Sequence, residues 1–331
     1  MGQRWLVRVA SHRRHGGGHV ARCAVLASAL ADAGADVVVQ LDPDAPEAVA
    51  ILARHGLRST EDAVTGPIQG VVLDGYELMG TEAATLARRA PLVVIDDFLD
   101  PPGCATLAIN GAVHLDGDRI GDLPALLGPR YALVDPCYAA LPSRDRTARV
   151  VNILVTMGRI DPDNLTSACL DLLDAVGFDA RITVVASAEM VRRAGLDTRV
   201  RQPHSLVIDA PDMVPLLGET DFVVGAGGVS LMERMAAGIP SMTFSLIDNQ
   251  RMFVAGAAGL GATVDGGDSV GPECAGLLRE ILADGQARAA MAAAARQAVD
   301  GRGAARVASH LIGLAAETRD PDRHTMQGLE A

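Results

Sequence analysis

The feature that most constrains the fold of this 331-residue chain is an alternation of short apolar runs with longer stretches rich in alanine and leucine. The runs of the first half are near-continuous in Val, Ile and Leu, which is typical of strands covered on both faces. We predict strands at 5–10, 36–41, 70–73 and 92–95, and helices at 20–33, 46–54 and 82–89. Strands that alternate with helices in this order predict a doubly wound α/β domain with a parallel sheet.

The same alternation restarts after an irregular polar segment, 141–149, which we interpret as a linker. Further strands are predicted at 150–156, 181–186, 205–208, 221–224 and 241–244, and helices at 164–175, 229–237, 251–258, 272–283, 287–299 and 304–316. The chain is therefore expected to form two Rossmann-like doubly wound domains, 1–140 and 150–317, that face a central ligand cleft. The charged tail, 318–331, is expected to be disordered.

All 29 basic residues are arginines, and this lack of lysine excludes several classes of enzyme. Schiff-base catalysis, a Walker A phosphate loop and a protein kinase each need a lysine. A net charge of −12 argues against a nucleic-acid partner, because binding nucleic acid requires positive charge to neutralise phosphates.

The apolar stretches and the cysteines indicate the compartment. The longest apolar stretches fall well short of the ~20 residues that a spanning helix needs, so no membrane partner is expected. The first residues lead directly into a predicted strand rather than a signal peptide, and the five cysteines include no Cys-x-x-Cys pair typical of a zinc site. We therefore expect a cytoplasmic protein that acts as a monomer on a small-molecule substrate.

A glycine-rich segment, 16–18, follows the first predicted strand and opens the first helix. Glycines let the backbone approach a ligand closely, and the N-terminus of a helix offers free N–H groups to an anion. His19 lies in the first turn of that helix, where an imidazole can serve as a general base.

Three other interpretations of this segment remain open. Gly16, Gly18 and Ala21 satisfy the Gly-x-Gly-x-x-Ala pattern of a nicotinamide-binding enzyme, with Asp42 as the acid for the ribose. The histidines of the segment could hold a metal ion, and the segment could also be a tight turn with an incidental histidine. The histidines concerned are His12, His15 and His19.

A second glycine-rich segment, 225–228, again joins a predicted strand to a helix. Its backbone N–H groups can approach a diphosphate, and Ser230 can cap the helix or bind a phosphate oxygen. Glu233 lies one turn into the helix, where a carboxylate can accept hydrogen bonds from two ribose hydroxyls. The alternative is a glycine hinge with an exposed glutamate.

A third segment, 239–250, ends a predicted strand and begins a helix at Asp248, a residue suited to capping. Asn249 and Gln250 would then lie at the carboxyl end of the strand, where such sheets bind ligands. Helix capping alone is an equal alternative for these residues.

Taken in order, these segments resemble the UDP-2,4-diacetamido-2,4,6-trideoxy-β-L-altropyranose hydrolases of pseudaminic acid biosynthesis. That family is similar to the glycosyltransferase that makes lipid II and shares its GT-B fold. Segment 16–23 looks like the Gly-x-Gly-His-x-x-Arg loop of the family, and 74–76 looks like its Asp-x-Tyr. The other matching segments are 95–97, 104–110, 126–133, 157–164, 225–233 and 248–250.

The resemblance implies a reaction in which His19, as general base, activates water to attack the anomeric carbon of a UDP-linked sugar with inversion. UDP and free sugar would be the products, with Asp74 and Tyr76 as the other catalytic residues. It implies no metal and no cofactor, and a UDP-sugar as the partner. The residues that it assigns to substrate binding are Gly17, Gly18, Arg22, Asp97, Gly158, Asn164, Gly225, Gly227, Gly228, Val229, Ser230, Glu233, Asp248, Asn249 and Gln250.

The chain departs from the family pattern at several positions. Arg159 stands where the family has the second glycine of a Gly-Gly loop, Ile160 replaces a small hydroxyl residue, and Ala105 replaces an aspartate. The Arg-x-Glu-Phe of the family is replaced around 134–137. The alternative to a hydrolase is therefore a GT-B glycosyltransferase that uses a UDP-sugar donor, followed by a dehydrogenase or a non-catalytic binder of nucleotide sugars.

Overall fold

The computed structural model describes residues 2–12, 17–159, 161–199 and 204–317. The chain divides into two compact units. Unit 1 contains the chain up to Leu133 together with the C-terminal segment from Arg302, and unit 2 is Val134–Gly301.

Unit 1 is built on an eight-stranded sheet with the order β3-β2-β1-β4-β5-β6-β8-β7. All pairs are parallel except β7 with β8. Its strands are β1 (Arg4–Val9), β2 (Asp36–Gln40), β3 (Ser59–Thr60), β4 (Gly70–Asp74), β5 (Leu92–Ile95), β6 (Leu107–Asn110), β7 (Gly117–Ile120) and β8 (Leu123–Leu127). Because β1 pairs with β2 on one side and with β4 on the other, the winding reverses there, and ligands of such sheets bind at that reversal.

The helices of unit 1 cover both faces of this sheet. They are α1 (Gly18–Asp32), α2 (Pro46–Arg54), α3 (Thr81–Ala87) and α13 (Gly303–Glu317). The helix α13 packs on α1, and its buried Val307, Ala308 and Leu311 belong to the same core as β1 and β2. The predicted assignment of this helix to the second domain is therefore wrong, because its apolar face is completed by residues of the first.

Unit 2 contains a six-stranded parallel sheet with the order β11-β10-β9-β12-β13-β14. Its strands are β9 (Asn152–Thr156), β10 (Arg181–Ala186), β11 (Ser205–Ile208), β12 (Phe222–Ala226), β13 (Ser241–Phe244) and β14 (Val264–Gly267). Its helices are α4 (Pro136–Ala139), α5 (Leu165–Val176), α6 (Ala188–Ala194), α7 (Leu196–Arg199), α8 (Val214–Gly218), α9 (Val229–Ala237), α10 (Asp248–Gly259), α11 (Cys274–Ala283) and α12 (Gly285–Ala298). The reversal in this unit lies between β9 and β12.

The segment 141–149, predicted to be a free linker, is held on unit 2 by arginine side chains. Arg146 donates to the carbonyl oxygens of Thr220, at 2.9 Å, and Gly238, at 3.1 Å. Arg144 Nη2 pairs with Asp221 at 2.8 Å, and Arg288 donates to the Ala148 carbonyl at 2.6 Å. The first unit consequently ends near 133 rather than 140, because the segment that follows has its hydrogen-bond partners in the second.

Most predicted strands and helices are present within a few residues of their expected bounds. The prediction missed β3, β6, β7, β8 and β14 and the short helices α4, α6, α7 and α8. These elements are short, so they give little periodicity in the sequence. The predicted tail, 318–331, lies outside the described residues. Among the described helices, none is both long and apolar enough to cross a membrane.

Candidate functional site

The candidate catalytic residues of unit 1 lie at the carboxyl ends of its central strands. Asp74 is the last residue of β4, Asp97 follows β5, and His19 lies in the first turn of α1, which follows β1. Gly75 has a φ of +148°, and a Cβ there would lie 2.4 Å from the Cβ of Ala10. A glycine is therefore needed for the chain to leave β4 beside the end of β1.

The side chain of Asp74 is fully buried and binds His19. Nδ1 of His19 lies 2.7 Å from Oδ1 of Asp74. Burial alone would raise the pKa of Asp74, but the charge of Arg22, with hydrogen bonds from Arg22 and His19, holds that pKa well below its usual range. Because an ionised carboxylate can only accept, Nδ1 of His19 carries the proton of this bond, and Nε2 is the basic nitrogen of the neutral ring.

Arg22 ties this pair to Asp97. It donates from Nε to Asp74 Oδ2 at 2.6 Å and from Nη2 to Asp74 Oδ1 at 2.7 Å. Nη1 reaches both carboxylate oxygens of Asp97, at 2.8 and 3.0 Å. Burial raises the pKa of Asp97, but the charge of Arg22 outweighs that effect and keeps it low. The guanidinium is thus shared by two carboxylates, which fixes the Asp74 side chain that orients His19.

Two aromatic rings complete this cluster. The hydroxyl of Tyr76 donates to Asp97 Oδ2 at 2.8 Å, and burial together with Asp97 raises the pKa of that hydroxyl. The Tyr76 ring meets the His19 ring edge-on at a centroid distance of 5.2 Å, and the exposed Phe98 lies 4.8 Å from Tyr76 on the same basis. The structure therefore brings the predicted residues His19, Asp74, Tyr76, Arg22 and Asp97 into one hydrogen-bonded cluster.

The glycine-rich segment that precedes His19 is described in part. Gly17 is the N-cap of α1 and Gly18 its first residue, and no side chain caps this end of the helix. Gly16, which belongs to the predicted Gly-x-Gly, and His15, which belongs to the alternative metal cluster, lie outside the described residues. Within the described ranges, no group of three or more His, Cys, Asp or Glu side chains could hold a metal ion.

Asp42, the alternative ribose acid of a nicotinamide site, has partners within the fold. It accepts from Arg8 Nη2 at 2.7 Å and from the backbone N–H of Ser11 at 2.7 Å. Asp42 joins the ends of β1 and β2 through these bonds, so both its oxygens already accept hydrogen bonds and the nicotinamide interpretation loses its specific residue.

In unit 2, the second glycine-rich segment lies between β12 and α9 as predicted. Gly225 is close to β9, because a Cβ there would lie 2.9 Å from the Thr156 carbonyl oxygen. Gly228 has a φ of +78° and is the N-cap of α9, of which Val229 is the first residue. A Cβ on Gly227 would lie 2.9 Å from Val254, so the segment packs closely on α10.

Ser230 and the buried Arg234 support this segment from within α9. Arg234 donates from Nη2 to the Ala226 carbonyl at 2.8 Å and from Nη1 to the Ser230 hydroxyl at 3.3 Å. Burial lowers the pKa of Arg234 to about 10, against the charge of Glu233. The guanidinium remains cationic at neutral pH and places positive charge beneath the glycines.

A cavity of about 200 Å³ opens beside this segment, at the carboxyl ends of β9, β10 and β11. Glu233 lines it, and burial raises the pKa of Glu233 to about 7, against the charge of Arg234 and a hydrogen bond from Tyr138. The lining residues are Thr156, Gly158, Arg159, Val185, Ala186, Ser187, Asp209, Ala210, Met213, Leu217, Ser230, Glu233 and Arg234. Such a cavity presents both cations for an anion and a carboxylate for hydroxyl groups.

The remaining predicted residues have different surroundings. Asn164 is the N-cap of α5 with a left-handed backbone, and its Oδ1 accepts from the Ser167 hydroxyl at 2.9 Å. Asp248 is the first residue of α10 rather than its cap, and it pairs with Arg251 at 3.2 Å. Asn249 is exposed on the same turn. None of these three is among the residues that line the described cavity.

Gln250 does contact the glycine-rich segment. Its Oε1 accepts from the backbone N–H of Leu246 at 2.9 Å, and its Nε2 would lie 3.4 Å from a Cβ on Gly228. Sequence reasoning missed the cavity residues Ser187 and Asp209, although both directly follow strands. Their positions at strand ends were the signal that could have found them.

Comparison with known proteins gives one similar sequence and many similar structures. No protein-family model matches the chain. The spore coat polysaccharide biosynthesis protein SpsG of Bacillus subtilis (strain 168) is 26% identical over 196 residues. The match covers 56% of this chain and 58% of SpsG, so the chain spans little more than half the length of that relative.

The similar structures cover nearly the whole chain. MurG of Acinetobacter baumannii is 14% identical with a TM-score of 0.64, over 96% of this chain and 100% of that chain. MnaA of S. aureus, in a co-structure with UDP, is 13% identical with a TM-score of 0.67, over 95% and 97% of the two chains. The spinosyn rhamnosyltransferase SpnG is 16% identical with a TM-score of 0.57, over 97% and 100%. The chain has the GT-B fold. The predicted fold class is confirmed.

Proposed function

We propose that this GT-B protein is a glycosyltransferase that uses a nucleoside-diphosphate sugar, with His19 as the general base. The observation that carries the proposal is the hydrogen bond of 2.7 Å between His19 Nδ1 and the buried, ionised Asp74. It holds the imidazole in the tautomer whose Nε2 can take a proton, and it stabilises the imidazolium that forms.

The donor would bind to unit 2. The N-terminus of α9 and the Arg159 and Arg234 side chains suit a diphosphate, while Glu233 suits the hydroxyls of a ribose. The co-structure of MnaA with UDP and the complex of SpnG with thymidine diphosphate support a nucleoside diphosphate as the ligand. We propose UDP as the nucleotide, as the sequence resemblance implies.

The reaction would be a single displacement at the anomeric carbon. The acceptor hydroxyl gives its proton to Nε2 of His19 as its oxygen bonds to that carbon. The bond from the same carbon to the phosphate oxygen breaks, and the electron pair leaves with UDP. The N-terminus of α9 and the nearby arginines can stabilise the charge that develops on the diphosphate, so the reaction has no need of a strong general acid.

The acceptor decides between transfer and hydrolysis. A glycosyltransferase is favoured by the likeness to the rhamnosyltransferase SpnG and to SpsG, whose description concerns the synthesis of a polysaccharide. Water is the second candidate acceptor, because Asp74 and Tyr76, on which the hydrolase resemblance rests, both belong to the cluster around His19. The site residues and the expectation that the protein acts as a cytoplasmic monomer also stay proposals.

The two reactions are distinguished by incubating the purified protein with a panel of UDP-sugars and reading products by NMR, with and without sugar acceptors. UDP release that requires an acceptor would establish the transferase. Release of UDP and an inverted free sugar in buffer alone would establish the hydrolase. Binding of the UDP-sugars without any release would contradict both reactions and leave a non-catalytic binder.

Replacement of Glu233 by glutamine is expected to weaken UDP binding by about 10- to 100-fold at pH 8, because the ionised carboxylate is the better acceptor for two hydroxyls. Since the pKa of Glu233 is about 7, wild-type affinity should rise between pH 6 and pH 8 as this group ionises. The phosphates of UDP also titrate, but they do so equally with both proteins. The part of the rise that the glutamine variant lacks therefore belongs to Glu233.

Isothermal titration calorimetry with UDP across this pH range measures the effect. Glu280→Gln, which removes an exposed carboxylate on α11, is the matched control. Equal UDP affinity of wild type and Glu233→Gln at pH 8 would place the ribose elsewhere.

A further inference from the structure

Tyr138 is a buried residue that neither the sequence motifs nor the proposed reaction accounts for. It lies on α4, is 9% exposed, and donates its hydroxyl to the carboxylate of Glu233. Burial and the neighbouring charge of Glu233 raise the pKa of the Tyr138 hydroxyl. The phenol therefore keeps its proton over the whole range in which Glu233 titrates, so its hydrogen bond always points towards the glutamate.

The short helix that carries Tyr138 is fixed at both ends. Asp135 caps it by accepting from the Cys137 N–H at 2.9 Å, and Pro136 occupies its first turn. At its other end, the Ala139 carbonyl accepts from Arg296 Nη1 at 3.4 Å, and a Cβ on Gly301 would lie 2.5 Å from the Ala139 Cβ. Since α4 also packs on α9, the hydroxyl of Tyr138 is held at a defined place beside Glu233.

We propose that Tyr138 is a positioning residue of the nucleotide site, whose hydroxyl orients the Glu233 carboxylate so that the cavity prefers a ribonucleotide to a 2′-deoxyribonucleotide. This inference rests on the proposed function, in which Glu233 binds the ribose. A carboxylate has about four acceptor positions. One hydrogen bond from Tyr138 fixes the plane of the group and leaves acceptor positions for two vicinal hydroxyls.

The electrostatic surroundings agree with this role. Burial raises the pKa of Glu233, while the Tyr138 hydrogen bond favours its ionised form. The other groups that bear on this carboxylate come from every element around it: Arg234 on α9, Asp135 and Cys137 beside Tyr138, Arg159 and Asp209 on the cavity wall, and Arg288 and Arg296 on α12. Removing the phenol hydroxyl alone changes none of these charges.

The test compares wild type with Tyr138→Phe, and uses Tyr131→Phe, a tyrosine of unit 1, as the matched control. The first measurement needs no ligand: the Glu233 carboxyl carbon is followed by NMR during a pH titration, with its signal assigned from Glu233→Gln. Loss of the donor should move the midpoint of Glu233 to higher pH in Tyr138→Phe and leave it in place in Tyr131→Phe.

The second measurement is the affinity for UDP and for 2′-deoxy-UDP at pH 8. Tyr138→Phe should weaken UDP binding by about tenfold and 2′-deoxy-UDP binding by less, so that the preference for ribose falls. A residue that served only the packing of α4 would weaken both ligands equally. In a Glu233→Gln background, Tyr138→Phe should have no further effect on the preference.

The outcomes separate this inference from the proposed function. An unchanged midpoint of Glu233, or an unchanged preference for UDP in a variant with wild-type folding, would overturn the role of Tyr138 alone. Failure of the wild-type protein to bind UDP would overturn the proposed function, and with it the nucleotide role of Tyr138. A shifted midpoint together with a reduced preference for ribose would support the inference.

Discussion

Replacement of His19 by alanine is expected to lower turnover by about 10²- to 10⁴-fold, which is the usual contribution of a positioned general base. The physical reason is the loss of Nε2 as proton acceptor, since Asp74 holds the other ring nitrogen at 2.7 Å. UDP affinity should stay within about twofold of wild type, because the residues proposed to bind the nucleotide belong to unit 2.

Steady-state turnover of the UDP-sugar identified by NMR measures this effect, with UDP titration alongside. His310→Ala, which removes an exposed histidine of α13, is the control and should keep wild-type turnover. Wild-type turnover in His19→Ala would remove His19 from the mechanism, whether the acceptor is water or a sugar.

Replacement of Asp74 by asparagine is expected to lower turnover by about 10²- to 10⁴-fold as well, through the tautomer of His19. An asparagine that accepts from Arg22 through its oxygen presents its amide donor to Nδ1, so Nδ1 must accept and the proton moves to Nε2. The ring would then have no basic nitrogen for the acceptor. Nitrogen-15 NMR of the histidine ring reports the tautomer directly, and an unchanged tautomer with wild-type turnover would contradict the assigned role.

The same substitution is expected to reduce the free energy of unfolding by about 3–5 kcal/mol at pH 7, because it breaks a buried ion pair and leaves Arg22 with Asp97 alone. The sign of its pH dependence follows from the lowered pKa of Asp74. A carboxyl whose folded-state pKa lies below its unfolded value of 3.8 stabilises the fold above that value and loses this contribution as the pH falls further. Denaturant unfolding of wild type and variant should therefore give curves that converge below pH 4. A constant gap down to pH 2 would contradict the assigned ionisation.

The sequence was informative wherever the function depends on backbone and local order. The glycine-rich turns at 16–18 and 225–228 were predicted because each joins a strand run to a helix run, a pattern that needs no tertiary information. Glu233 was found for the same reason, since its place one turn into α9 follows from the spacing alone. Asp248 was predicted as a helix cap and lies one position inside the helix, an error of the size expected at helix ends.

Long-range partners were beyond local patterns. Arg22 and Asp97 were predicted to touch the substrate, but the structure shows that the guanidinium of Arg22 is bound by two carboxylates 52 and 75 residues away. Tyr138 fell in a segment that looked like the approach to a linker, and its contact with Glu233 crosses almost a hundred residues. Charged residues at strand ends can bind either a ligand or one another, and only the strand order tells which.

The sequence by itself determined the class of fold and the loops where a ligand can bind, because hydrophobic periodicity and glycine placement are local properties of the chain. The tertiary structure alone decided that Asp74 orients His19, that Arg22 fixes Asp74, and that α13 completes the first unit rather than the second. Each of these depends on which strands become neighbours and which apolar faces meet. Those choices minimise the exposed surface of the whole chain, and no single segment records them.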